Sequence, residues 1–262
     1  MKNKPIGVFD SGIGGLAILD RLIAALPNED FIYVADSGHF PYGTRPAAEI
    51  EALVTAVTRY LLNHNIKALV IACNTATAHS GHLPNLTDIP IIGMIAPAVR
   101  AAAAAVNTGA IAVLATNATV KAGVYQQYLA RLTPSTKVIA VGCSEFADAI
   151  ERGEINTAAS YRLVAEKLAP YAETKIDVAI LGCTHFDYYR QEIGAALPGA
   201  RLISCADPAA AELVSALREK NLLKDDGKPG MITIDTTGEA AVVTKQIAWF
   251  KRPHRGVRHI DL

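Results

Sequence analysis

Neither sign of charge is in surplus in this 262-residue chain, where 25 Lys and Arg stand against 25 Asp and Glu. Phosphate recognition needs an excess of cations, so nucleic acid is excluded as the main partner. Charged residues make up only 19% of the chain and hydrophobic ones 51%, which excludes a disordered polymer. Aromatic residues are scarce at 6%, and Ala, Ile, Leu and Val supply the apolar fraction. That profile argues against an aromatic-rich β-sandwich and for parallel strands covered by helices. Cysteine is limited to Cys73, Cys143, Cys183 and Cys205, with no C-x-x-C pair, which removes a zinc ribbon or a thioredoxin-type centre. The seven histidines show no H-E-x-x-H or similar spacing, so no metal site is expected. No apolar run reaches the roughly 18 residues of a membrane span, and the opening residues lead into a strand-like segment without a signal-peptide layout. The expectation is a soluble cytoplasmic protein with free thiols and no membrane partner.

What is present is alternation. Short apolar runs at Ile6–Phe9, Phe31–Val34, Ala68–Ala72, Ile91–Ile95, Ala110–Leu114, Lys137–Val141, Val178–Leu181, Arg201–Ser204 and Gly230–Asp235 read as strands. Amphipathic stretches such as Ala17–Ala25, Ala47–Leu62, Tyr125–Arg131, Ala158–Tyr171 and Pro208–Arg218 separate them. Strand and helix in repeated turn imply an α/β fold with mostly parallel sheets. The chain also contains two similar halves. Ile6–Ser11 resembles Ile111–Thr116, an offset of 105 residues, and Ala68–Thr75 resembles Val178–His185, with cysteines 73 and 183 offset by 110. Two pseudo-symmetric α/β lobes are therefore expected, residues 1–97 plus 208–262 and residues 98–207, with an active site in the cleft between them.

In parallel sheets, ligands gather outside the carboxyl ends of strands. Four polar clusters follow directly on apolar runs: Asp10-Ser11, Asp36-Ser37 with Pro41-Tyr42-Gly43, Cys73-Asn74-Thr75, and Cys183-Thr184-His185. If the halves meet face to face, Cys73 and Cys183 oppose each other. A lone cysteine is more often a small buried hydrophobe, but two in matching strand-end positions suit inversion of a carbon stereocentre. One thiolate removes a proton from one face while the other thiol delivers one to the opposite face. A free thiol has a pKa of about 8.5 and needs help to act as a base. Asp10 and His185 are placed to supply it, and Ser11, Asn74, Thr75, Thr184 and the Tyr42 and Gly43 amides to hold carboxylates and an amine.

These residues match a known pattern. The segments Phe9–Leu16, Asp36-Ser37 with Pro41–Gly43, Ala72–Ala76 and Leu181–His185 resemble the four signatures of the aspartate/glutamate racemase family, and of its glutamate racemases in particular, in order and over nearly the whole chain. The resemblance implies a cofactor-independent isomerase that interconverts L- and D-glutamate for peptidoglycan synthesis, commonly as a homodimer. It implies that Cys73 serves the D-isomer and Cys183 the L-isomer, with Asp10 and His185 as auxiliary groups. Thr116 and Thr119 match the family's second-domain threonines, and Glu151 falls where an acidic residue belongs. The chain departs from the family at Phe186-Asp187-Tyr188-Tyr189, where an aromatic, a proline and leucines are usual, and at Ala96-Pro97, where glutamate often precedes proline. Cys143-Ser144 lacks the usual proline, and Ile203-Ser204-Cys205 replaces a common Asp-Ser.

Other readings remain. An aspartate or other amino-acid racemase would use the same motifs. Gly12-Ile13-Gly14-Gly15-Leu16-Ala17, with Asp36 ending the next strand, fits the fingerprint of an NAD(P)-dependent oxidoreductase. Against it, Asp10 would sit beside the pyrophosphate, and both cysteine clusters would be unexplained. A non-catalytic amino-acid-binding protein would be marked by loss of a thiol, and neither is lost. A pyridoxal phosphate enzyme needs a Schiff-base lysine, for which Lys67 and Lys121 have no persuasive setting. His39 lies in the Asp36–Gly43 loop and borders the expected cleft. The basic tail Lys251–His259 reads as a solvated end.

Overall fold

Five-residue runs such as Ile6–Asp10, buried at every position, can only be interior strands covered on both faces, as parallel sheets require. The computed structural model describes residues 1–262 and has ten strands. They are β1 Ile6–Asp10, β2 Phe31–Ala35, β3 Ala68–Ile71, β4 Ile91–Gly93, β5 Ala110–Ala115, β6 Val138–Gly142, β7 Ile176–Gly182, β8 Arg201–Ser204, β9 Ile232–Thr236 and β10 Val257–His259. The chain divides into two compact units, Met1–Met94 with Ala206–Leu262, and Ile95–Cys205. Both divisions fall where a helix begins, at Ile95–Ala105 and Ala206–Glu219. Pro97 and Pro208 each occupy the third position of their helix, where the missing N–H has no intrahelical partner to lose.

The first unit holds a parallel six-stranded sheet in the order β10-β9-β2-β1-β3-β4. Its helix Ala47–Asn63 buries Ile50, Val54, Val57, Thr58 and Leu61, a stripe at helical spacing. Each aliphatic side chain in that stripe contributes roughly 1.5–3 kcal/mol of burial. Helix Ala206–Glu219 packs against Leu16–Ala25, with Arg21 paired to Asp207 on the surface.

The second unit holds a parallel four-stranded sheet, β6-β5-β7-β8. Its order repeats β2-β1-β3-β4 of the first sheet, and so does its register. Ile6 pairs with Ala68 across β1 and β3, and Ile111 pairs with Val178 across β5 and β7. These are the positions that the two sequence offsets relate. Its edge strand β6 alternates buried and half-buried residues, as a strand covered on one face should.

Two elements differ from the sequence expectation. Strand β4 stops at Gly93, and Ile95 already belongs to the next helix. The basic tail is not simply a solvated end. Val257–His259 forms the edge strand β10, held by Arg258, whose guanidinium donates to both oxygens of buried Asp235 at 2.8 and 3.0 Å.

Candidate active site

At the carboxyl end of the first sheet, β1 delivers Asp10 and Ser11 beside β3, which delivers Cys73. The Cys73 thiol lies 3.6 Å from Ser11 Oγ. Its sulfur also accepts the Ala76 N–H at 3.4 Å, because Cys73 caps the short helix Asn74–Ala78. An amide aimed at sulfur stabilises negative charge there. Asn74 and Thr75 are buried in that first turn. Asp10 is fully buried and accepts the Gly12 N–H at 3.0 Å. Tyr33 fixes the same turn, its hydroxyl donating to the Gly12 carbonyl at 2.9 Å.

The Asp36–Gly43 segment is held by one buried carboxylate. Asp36 Oδ2 accepts the Tyr42 hydroxyl at 2.5 Å, while Oδ1 meets the Thr237 hydroxyl at 2.6 Å and His39 Nδ1 at 2.8 Å. Burial first, and then the Asp36 charge, push the Tyr42 phenol far above its ordinary pKa, so it remains a donor. Tyr42 and Gly43 form a buried turn after the cis Phe40–Pro41 bond. His39 is thus a partner of Asp36. Thr237, just beyond β9, is absent from the residues singled out in the sequence, although it also receives the Gly38 N–H at 2.9 Å. The strand-end rule that found the other clusters would have found it, since the strand-like run Gly230–Asp235 is followed directly by Thr-Thr-Gly.

In the second unit, β5 delivers Thr116 and β7 delivers Cys183, the next pair in register after Ala115 and Gly182. Thr116 caps the helix Asn117–Ala122 and lies 2.9 Å from the buried Thr119 hydroxyl. Cys183 Sγ is 3.8 Å from His185 Nδ1, which also faces Thr184 Oγ1 at 3.4 Å. The other ring nitrogen, Nε2, meets Glu151 Oε1 at 2.6 Å. A carboxylate accepts only, so it fixes the neutral imidazole proton on Nε2 and leaves Nδ1 as an acceptor facing the thiol. Thiol, imidazole and carboxylate therefore form a continuous path for a proton. Glu151 ends the helix Ser144–Glu151.

The departures from the family pattern find places in this unit. Phe186 and Tyr189 are fully buried, with their rings 5.5 and 5.6 Å from that of Phe146. Asp187 accepts from the Ser204 hydroxyl at 2.6 Å and from Arg190 at 2.8 Å. Ser144 Oγ accepts the Asn117 N–H at 2.9 Å. The other two thiols are core residues. Cys143 and Cys205 donate to the Val141 and Leu181 carbonyls, both at 3.4 Å, and burial pushes the Cys143 thiol up to about 12.

Residues required by the rival readings are committed elsewhere. A Cβ on Gly15 would lie 2.5 Å from Asp10 Cβ and 2.8 Å from the Tyr33 hydroxyl, and one on Gly12 would lie 3.0 Å from the Phe40 ring. These glycines make room for the protein's own side chains. Asp36, which a dinucleotide fingerprint would place on a ribose, is bonded to three protein groups. Lys67 is buried at the amino end of β3, away from Cys73. Its ammonium pairs with Glu29 and donates to the Leu222 carbonyl at 2.9 Å, so no free amine is offered for a Schiff base. Lys121 lies in the last turn of the helix Asn117–Ala122. No group of three or more His, Cys, Asp or Glu is arranged to hold a metal ion.

Comparison with known proteins identifies the family. The family model for Asp/Glu/Hydantoin racemase matches residues 6–213. A glutamate racemase from Limosilactobacillus fermentum is 41% identical over 233 residues, covering 87% of this chain and 86% of that protein. The crystal structure of a glutamate racemase isoform from Bacillus anthracis superposes with a TM-score of 0.95 at 33% identity, covering 100% of this chain and 99% of that one. The Francisella tularensis glutamate racemase, solved in complex with D-glutamate, gives a TM-score of 0.92 at 30% identity, covering 100% and 98%. The fold, the strand-end thiols and these likenesses lead to one assignment: the chain belongs to the Asp/Glu/Hydantoin racemase family, among its glutamate racemases.

Proposed function

We propose that the protein interconverts L- and D-glutamate by a two-base reaction in which Cys73 and Cys183 act on opposite faces of the α-carbon, without a cofactor. The observation that carries this reading is the duplicated strand-end geometry. Each sheet delivers one buried thiol from the third strand of the same four-strand order, beside a hydroxyl from its central neighbour, Ser11 in one unit and Thr116 in the other. The reading requires the two clusters to close on one substrate.

From L-glutamate, the Cys183 thiolate takes the α-proton and leaves a carbanion, which the Cys73 thiol protonates on the other face. The product is D-glutamate, with the thiolate now on Cys73, ready for the reverse reaction. His185, held by Glu151, takes the proton of the Cys183 thiol before the forward step, and Asp10 serves Cys73. Ser11, Asn74, Thr75 and the Pro41–Gly43 turn hold the substrate from the first unit, and Thr116, Thr119 and Thr184 from the second. The D-glutamate supplies peptidoglycan synthesis in the cytoplasm. No helix is long and apolar enough to cross a membrane. The small-molecule substrate is the main partner, and the assembly is a homodimer.

Circular dichroism of each glutamate enantiomer, with purified protein and no added cofactor, tests the reading. Decay of both signals to zero is expected. A constant signal with glutamate but decay with aspartate transfers the assignment to an aspartate racemase. Light scattering that reports only monomer at micromolar concentration, with and without glutamate, removes the dimer.

A further inference from the structure

Glu151 touches His185 from a helix end that is closed locally by the Gly153 and Glu154 N–H groups, which donate to the Ile150 and Ala149 carbonyls at 2.9 and 3.0 Å. Side chains further on tie that end to the rest of the unit. The next residues, Arg152–Asn156, form a loop with two left-handed positions, Gly153 at φ 78° and Asn156 at φ 56°. Two buried side chains fasten that loop, and both come from the segment immediately after His185. The Tyr189 hydroxyl donates to the Glu154 carbonyl at 2.9 Å. Glu192, three residues on, accepts the Asn156 N–H at 2.8 Å and the Ser160 hydroxyl at 2.9 Å through one oxygen. Its second oxygen, Oε2, is buried without a hydrogen-bond partner.

A buried carboxylate with one oxygen unsatisfied is a costly way to pack a core, since an apolar side chain would fill the space without desolvation. What it provides is direction. A carboxylate and a phenol fix a backbone carbonyl and an N–H to hydrogen-bond tolerance, whereas apolar packing leaves a loop free to slide. Burial, reinforced by the Glu192 and Glu154 charges, pushes the Tyr189 phenol up to about 12, so it donates across the working pH range.

We infer that Tyr189 and Glu192 are positioning residues for the reaction: together they hold Glu151 on His185 Nε2 and so keep Nδ1 aimed at Cys183. Tyr189 lies in the Phe186–Tyr189 stretch, where this chain departs from the family pattern, and Glu192 follows three residues beyond it. The inference rests on the proposed two-thiol reaction, and its test is built to fail separately from it.

The test uses β-chloroglutamate in single-cysteine backgrounds. Transfer of the α-proton to a thiolate, with loss of chloride from the β-carbon, gives an enamine that hydrolyses to 2-oxoglutarate and ammonia. Cys73→Ser retains only the Cys183 side and should process the L-isomer, while Cys183→Ser should process the D-isomer. Tyr189→Phe removes one hydroxyl and keeps the ring. It should slow L-elimination in the Cys73→Ser protein by up to roughly tenfold and leave D-elimination in the Cys183→Ser protein unchanged. Glu192→Gln keeps an acceptor oxygen and should stay near the parent rate, whereas Glu192→Leu should slow the L-side alone. Adding Glu151→Gln to Tyr189→Phe should cost no more than Glu151→Gln alone. Equal slowing of both sides by Tyr189→Phe, or no slowing of either, overturns the inference. Loss of enantiomer selectivity in the single-cysteine parents overturns the two-thiol reaction itself.

Discussion

The two thiol clusters share a scaffold and differ in the groups placed around the sulfur. Cys73 and Cys183 follow corresponding strands, with corresponding registers to their neighbours. Around Cys73 the partners are a serine hydroxyl and a backbone amide, with a buried carboxylate on the adjacent strand. Around Cys183 they are an imidazole and the carboxylate that orients it. The sheet therefore fixes where a thiol stands, and the residues beyond the strand end decide which polar groups it meets and, in the proposed reaction, how it becomes a base. A carboxylate offers two equivalent oxygens and needs little alignment. An imidazole must present the correct nitrogen, so the second cluster needs a further layer of support.

The largest test of this comparison is removal of either thiol. Cys73→Ser and Cys183→Ser should each abolish racemisation in both directions, by at least roughly 10³-fold, because a serine hydroxyl is too weak an acid to replace a thiol. Racemisation surviving in either variant, followed by circular dichroism, would end the two-base reading. Next come the auxiliary groups. His185→Asn should lower kcat by about 10²-fold or more, and Glu151→Gln by roughly tenfold. In the elimination assay both changes should act on the Cys183 side and Asp10→Asn on the Cys73 side. The same loss on both sides for all three would erase the distinction between the clusters.

A smaller effect is expected from Thr237→Val, which removes one donor from the buried Asp36 carboxylate. It should cost about 1–3 kcal/mol of stability and raise KM for glutamate by loosening the Pro41–Gly43 turn. Unchanged KM and melting temperature would show that Asp36 does not organise that turn. The smallest effect concerns the core thiol Cys143. Its pKa is raised in the folded state to about 12, so its contribution is complete below the unfolded value of about 8.5. That contribution is lost as pH rises from there toward 12, by at most about 1.4 kcal/mol per pH unit. Urea denaturation at pH 8 and pH 10.5 should show a decline, and Cys143→Ala should make that decline shallower. An identical slope in the variant would assign the alkaline loss to other groups, such as Tyr60, also raised to about 12 by burial and Asp235.

Much of the site was legible because parallel sheets place chemistry at strand ends. Asp10, Ser11, Cys73, Asn74, Cys183 and His185 all follow apolar runs that need no partner to be recognised. Glu151 was reachable only through resemblance to a family, since nothing local in Ser144–Glu151 separates it from Glu145 on the same helix. Thr237 was reachable by the same strand-end rule, since it follows the Gly230–Asp235 run, and only its bond to Asp36, 201 residues away in the chain, needed the fold. The short helices Asn74–Ala78 and Asn117–Ala122 span too few turns to leave a period in the sequence. Strand β10 was hidden by Arg258 and His259, whose polarity reads as a solvated tail until Asp235 is brought beside them.

Sequence alone therefore determined the alternating α/β class, the internal duplication and the positions of both thiols. All three depend on which residues must leave water, and hydrophobic periodicity records that along the chain. Tertiary structure decided which polar neighbour each thiol received, which tautomer His185 adopts, and which glycines serve the protein's own packing. Those outcomes depend on hydrogen bonds and close contacts between residues distant in sequence. Such contacts exist only after the core has folded and removed the competing water.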